Sequence, residues 1–300
     1  MAQPPSLLPE LVRRRLEPLM LVARAVRAGA VKGDRRSIKR GTSIEFADYR
    51  NYAAGDDLRQ LDWNIYARLE RPYIKLLEDE EDLAVHILLD ASASMDFPAA
   101  GLPDQHKLLF AKRIAAGLAY LALTSGDRLT VAALRAGAPR QFGPARGRAQ
   151  SLRMLHFLGQ VGTDGMVNLD AALAEFAQRA RPGLTLLISD MFSLDGQYRD
   201  GLNALLSRGH EVAIVHVLAR EELEPQVTGD LSLVDVETTL QQEVTLDGAM
   251  LAVYQRRLQS WRDELRADCR RRGAHYFPLV TDAAWESLIL RDMRRAGLVK

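Results

Sequence analysis

The residues with the most chemistry in this chain come where an apolar run stops. In ILLDASASMDF, residues 87–97, Asp90 ends a strand-like stretch, and Ser92 and Ser94 follow at alternate positions. A parallel strand covered on both faces reads as a continuous hydrophobic run, and residues 84–89 fit that pattern apart from His86. A second run, 184–189, delivers Asp190 in LLISDMFS. A third segment, GQVGTDGMVNLDAAL at 159–173, places Thr163, Asp164, Asn168 and Asp170 at or just before a helix start. In open α/β sheets, ligands bind outside the carboxyl ends of strands, where the strand order reverses. All of these are oxygen donors, which favours a hard divalent cation (magnesium, calcium or manganese) over zinc. The plain alternative is that Asp90 and Ser92 cap the next turn by accepting backbone N–H bonds.

Motif requirements exclude several enzyme classes. A dehalogenase-type phosphatase needs a second carboxylate two residues after its aspartate, and Ser92 stands there. No GxxxxGK[ST] loop, HExxH pair or GxSxG elbow is present. The six histidines are scattered; His86 and His216 lie inside strand patterns and read as satisfied core residues. The single cysteine, Cys269, rules out an intrachain disulfide, a thiolate zinc cage and a CxxC pair, and reads as a half-buried helix residue.

The elements that must position these residues follow from periodicity. Strand patterns fall at 84–89, 128–134, 184–189, 211–217 and 275–280. Helix patterns fall at 105–124, 147–159, 169–180, 197–208, 248–272 and 282–296. This alternation predicts an α/β fold with a mainly parallel sheet and helices on both faces. Residues 231–246 read as an edge hairpin, and Leu11, Leu16, Leu19, Val22 and Val26 predict a helix ending near Gly29. A basic stretch at 27–42 follows it. Residues 44–82 interleave aromatic and charged side chains, with a strand at 73–77, and predict a compact β-rich or irregular layer. Within it, Arg50, Asp56, Asp57, Arg59, Asp62 and Arg68 suggest a paired charge network, Trp63 a core residue, and the acidic run 78–82 a solvated connection. The expected division is 1–82 and 83–300.

DASAS at 90–94 resembles the DxSxS signature of the von Willebrand factor A domain. That resemblance implies a Rossmann-like fold with a metal-ion-dependent adhesion site. Its metal ligands would be Asp90, Ser92, Ser94 and Asp190, with Thr163 as the loop threonine. Aligning the helix start at 171–173 with the usual GGTDLxxAL places Val167 at the threonine position instead, which implies either an inserted loop or a lost ligand. A longer block, GTSIEFADYRNYAAGDDLRQLDWNIYARLERPYIKLLEDEED at 41–82, is similar to an uncharacterised family of bacterial von Willebrand A-like proteins whose genes accompany MoxR-type AAA+ ATPases. Glu45, Phe46, Arg50, Tyr52, Gly55, Asp56, Arg59, Asp62, Trp63, Ala67 and Arg68 carry the match, while Gly41-Thr42-Ser43 departs from the double glycine.

The resemblance implies a non-catalytic interaction module that uses Mg2+ (or Mn2+ or Ca2+) to grip an acidic residue of a protein client, as adaptor or co-chaperone to a MoxR-type ATPase. The alternative is a metal-dependent hydrolase, a phosphoesterase or nuclease, using the same carboxylates. With 300 residues, 47% hydrophobic, the chain can bury a substantial core. A net charge of +1, from 40 basic and 39 acidic residues, gives no reason to expect nucleic acid as a partner. The apolar stretch 16–23 is interrupted by Glu17 and Pro18 and falls far short of the ~20 residues that a membrane span needs, so the expectation is a cytoplasmic protein without membrane insertion.

Overall fold

A computed structural model describes residues 6–23, 44–52, 61–69, 71–79, 83–98, 103–192, 197–226, 229–234 and 241–300. In chain order it contains α1 (Glu10–Leu16), β1 (Ile44–Asn51), α2 (Trp63–Leu69), β2 (Tyr73–Asp79), β3 (Ala84–Asp90), α3 (Lys107–Thr124), β4 (Arg128–Leu134) and β5 (Arg140–Ala145). Then come α4 (Ser151–Gly159), α5 (Leu169–Arg179), β6 (Leu184–Ser189), α6 (Arg199–Ser207), β7 (Glu211–Leu218), α7 (Arg220–Leu223), β8 (Gly229–Val234), β9 (Gln241–Leu246), α8 (Gly248–Arg272) and β10 (His275–Val280). Two compact units result: residues 1–32 with 83–300, and residues 33–82.

The larger unit is α/β. Its six-stranded sheet runs β10-β7-β6-β3-β4-β5, parallel throughout except for β5, which pairs antiparallel with β4. From β3 the chain moves to β4 on one side and later to β6 on the other, so strand order reverses beside β3. Period-2 alternation divides each buried strand between two cores. Ile87 and Leu89 face one core with Leu16, Ile114, Leu118 and Trp285; Leu88 faces the other with Leu173, Leu187, Leu202, Ile214 and Leu265. Helix α3 is buried almost all round. It approaches its neighbours closely at Gly117, where a Cβ would meet Ile289 and Trp285 at 2.9 Å.

The predicted parallel strands are all present, and the expected hairpin forms as β8 paired with β9. The N-terminal helix departs from expectation, ending at Leu16 instead of near Gly29. Pro18 offers no N–H, and the following residues take an extended path with the chain's end: Met20 N–H donates to the Lys300 carbonyl at 3.0 Å and Val22 N–H to that of Leu298 at 2.9 Å. Strand β5 was not anticipated. The expected helix at 282–296 instead contains a π-helical segment, Leu288–Met293, followed by Arg294–Ala296.

In the smaller unit, β1 and β2 pair antiparallel from Ile44↔Asp79 to Asn51↔Tyr73, with a register shift between Phe46 and Asp48. Asp62 starts α2, its Oδ1 accepting the N–H groups of Asn64 and Ile65 at 2.9 and 3.2 Å. Trp63 is not core: it is 63% exposed and meets Tyr66 edge-on at 6.1 Å. Asp56, Asp57, Arg59, residues 80–82 and the basic stretch 27–42 lie outside the described residues. No helix among the described residues is long and apolar enough to cross a membrane.

Candidate functional site

Strands β3 and β6 are neighbours, with Leu89 opposite Ile188, so Asp90 and Asp190 leave the sheet side by side where strand order reverses. Asp90 is only 3% exposed. Its Oδ1 accepts the Ser92 N–H at 2.9 Å, and its Oδ2 accepts the Ser189 hydroxyl at 2.6 Å. Burial, and then the charge of Asp190, push its pKa up to about 6. The turn Ala93–Met95 is anchored by buried Met95 and sets the Ser92 and Ser94 hydroxyl oxygens 3.0 Å apart.

Asp190 is sealed from solvent. Its Oδ1 accepts the Phe192 N–H at 3.1 Å, and its Oδ2 accepts from Lys107 Nζ at 2.7 Å. Between these contacts Met191 adopts a left-handed backbone, φ 57°, which costs an L-residue about 1–2 kcal/mol. The Ser189 hydroxyl offsets that strain by accepting the Met191 N–H at 2.8 Å. Lys107 also reaches Glu222 Oε1 at 2.6 Å. Neither Lys107, Glu222 nor Ser189 was singled out from sequence.

The loop before α5 is tied to the Asp90–Ser94 turn by two backbone bonds. Asp164 N–H donates to the Ala91 carbonyl, and Ala93 N–H donates to that of Gly165, both at 2.8 Å. The loop's other polar candidates hold structure. Asp164 pairs with Arg135 at 2.6 Å, Asn168 caps α5 through the Ala171 N–H at 2.9 Å, and Asp170 accepts the Gly201 N–H at 2.8 Å. Val167 packs against the second core. Thr163 directly precedes Asp164, and its hydroxyl makes no hydrogen bond among the described residues.

The oxygens present fit a hard divalent cation. With magnesium–oxygen distances near 2.1 Å, adjacent ligands of an octahedron lie about 3.0 Å apart, the separation at which the Ser92 and Ser94 hydroxyls are hydrogen-bonded to each other. Ser92 and Ser94 would ligate directly. Asp90 and Asp190, with their oxygens already engaged inside the protein, would act through water. Among the described residues no group of three His, Cys, Asp or Glu side chains is placed to hold a metal ion, so a cation at this site would rest on the serine hydroxyls and water.

The remaining candidates are structural. His86 Nε2 donates to the Arg181 carbonyl at 2.8 Å, and His216 Nδ1 meets the Tyr276 hydroxyl at 2.6 Å. Burial pushes the His216 pKa down to about 3, so the ring stays neutral. Cys269 is more enclosed than expected: it is fully buried, and burial pushes its thiol up to about 12. A separate cavity of about 550 Å3 lies against the sheet face, lined by His86, Thr130, Ala132, Val167 and Phe176. It contains none of Asp90, Ser92, Ser94, Thr163 or Asp190.

Residues 48–264 match the family model described as Protein of unknown function DUF58. Uncharacterised proteins of Mycobacterium tuberculosis and Mycobacterium bovis are each 30% identical over 289 residues, covering 94% of this chain and 89% of theirs. Among solved structures, the conserved hypothetical protein BatB from Bacteroides thetaiotaomicron is similar at 15% identity and a TM-score of 0.44, over 72% of this chain and 98% of that one.

Proposed function

The chain belongs to the DUF58 family, and from that premise we propose that it is a non-catalytic protein-interaction module of von Willebrand A-like architecture. A divalent cation, magnesium or manganese, is held at the ends of β3 and β6 and grips an acidic side chain of a partner protein. Ser92 and Ser94 bind the ion directly, Asp90 and Asp190 hold it through water, and Thr163 supplies the loop hydroxyl. The observation that carries this reading is the serine pair, 3.0 Å apart beside a buried carboxylate at the sheet's reversal point. A carboxylate is the natural partner group, because a hard cation with a position left open takes a charged oxygen most strongly. The upstream block at 41–82 extends the proposal to a MoxR-type AAA+ ATPase as the partner system, with this chain as adaptor or co-chaperone. That step is analogy.

Calorimetric titration of chelator-treated protein with magnesium and then manganese tests the site. Saturable binding that Ser92→Ala and Ser94→Ala abolish is the expected result. No binding by the wild type would overturn the reading. Turnover of a generic phosphoester by the pure protein, lost in Ser92→Ala, would replace it with a hydrolase.

A further inference from the structure

Lys107 is the least expected residue at this site. It opens α3, at the positive end of the helix dipole, where an ammonium is electrostatically disfavoured. It is also 1% exposed, and a lysine is almost never buried so fully unless it is paired. The pairing is double, to Asp190 Oδ2 at 2.7 Å and to Glu222 Oε1 at 2.6 Å. The rings of Phe97 and Phe192 flank the ammonium, with centroids at 5.6 and 5.2 Å. Glu222 is itself held from behind, its Oε2 accepting the Ala219 N–H at 2.7 Å. The start of α3, the residue after β6 and the short helix α7 therefore meet at one ammonium.

We propose that Lys107 is a tethered counter-ion of the strand-end site. Its ammonium keeps Asp190 in place whether or not a divalent cation is bound, and its fixed charge sets how strongly such an ion is held. The affinity half of this inference rests on the proposed cation site. Asp190 reaches its position with both oxygens already engaged, one by Lys107 and one by the Phe192 N–H. No ion is needed to gather the carboxylates, and an arriving ion meets organised oxygens together with a positive charge. Two consequences follow: the fold forms without the ion, and the ion is bound more weakly than the oxygen set alone would allow.

The test compares full-length wild type with Lys107→Met and Lys107→Arg, using thermal unfolding in chelator and in millimolar magnesium, and calorimetry with magnesium. The wild type is expected to fold fully in chelator, its midpoint rising only slightly in millimolar magnesium, as binding of a weakly held ion to the folded state requires. Lys107→Met is expected to unfold several degrees lower in chelator, to recover in magnesium, and to bind magnesium about tenfold more tightly, a change of about one decade in Kd. Lys107→Arg, which keeps the charge, is expected to behave like the wild type. Should Lys107→Met fail to fold, the double variant Lys107→Met, Asp190→Asn removes both charges and is expected to fold in chelator; a double variant no more stable than the single one would overturn the pairing. Wild-type binding that Ser92→Ala abolishes, with Lys107→Met binding no more tightly, would overturn the inference and leave the site standing. No magnesium binding by either wild type or Lys107→Met would overturn the site itself and the affinity half with it.

Discussion

Two buried aspartates in the larger unit are compensated in different ways. Asp268, on α8, is 3% exposed and receives the Tyr198 hydroxyl at 3.1 Å, Arg199 at 3.2 Å, Arg271 at 2.7 Å and Arg272. Its cations reach in from the surface, with the Arg199 and Arg271 side chains 48% and 67% exposed, so they keep much of their hydration. Burial alone would raise the carboxyl, but the hydrogen bonds from Arg272 and Arg271 outweigh it and hold Asp268 below its ordinary value. Asp190 instead shares one sealed ammonium with Glu222, and Asp90 beside it is pushed upward. An excess of cations around one carboxylate makes a clamp between α6 and α8. Two carboxylates around one cation leave an imbalance of the opposite sign, which the proposed divalent cation would answer.

Substitutions sharpen the contrast in order of effect. Asp190→Ala leaves the sealed Lys107 with only Glu222, and a loss of about 3 kcal/mol is expected in urea unfolding, since breaking a buried pair strands the remaining charge. A loss below about 1 kcal/mol would mean that Asp190 is not the ammonium's principal partner. Asp268→Asn weakens several charge-assisted hydrogen bonds and is expected to cost about 2 kcal/mol at neutral pH. Because the folded value of Asp268 lies below the unfolded one, its contribution is fully present above about pH 4 and is lost as pH falls through the folded value. The stability gap between wild type and Asp268→Asn is therefore expected to close only in acid, and a gap that closed near neutrality would contradict the clamp. The smallest effect belongs to Arg271→Ala, under about 1 kcal/mol, because its guanidinium is exposed and Arg272 and Arg199 remain.

Much of this architecture is legible in the chain. Up to their last residues, Asp90 and Ser189, the strands at 84–90 and 184–189 are apolar except at His86 and Thr185, because a parallel strand buried on both faces leaves little room for polar side chains. Asp90 and Asp190 stand out because a carboxylate directly after such a run must lie at a sheet end. Strand β5 is hidden for the opposite reason. RQFGPA lies at the exposed antiparallel edge, where glycine and proline are tolerated and no apolar pattern is imposed. The first helix is misjudged beyond Leu16 because Leu19 and Val22, which suit a helix face, are buried by an extended segment bonded to residues 298–300.

The site divides along the same line. Local order along the chain determines that Asp90, Ser92 and Ser94 share one turn, and that Asp190 ends a neighbouring class of strand. Lys107 and Glu222 carry no such signal: one opens an ordinary-looking helix in DQHKLLF, and the other sits in REEL. They lie 83 and 32 residues from Asp190 in the chain, and only the fold brings them within hydrogen-bonding distance of each other. Periodicity reports which face of an element is buried. The pairing of charges inside that burial depends on which elements become neighbours, and this is decided by the strand order of the sheet.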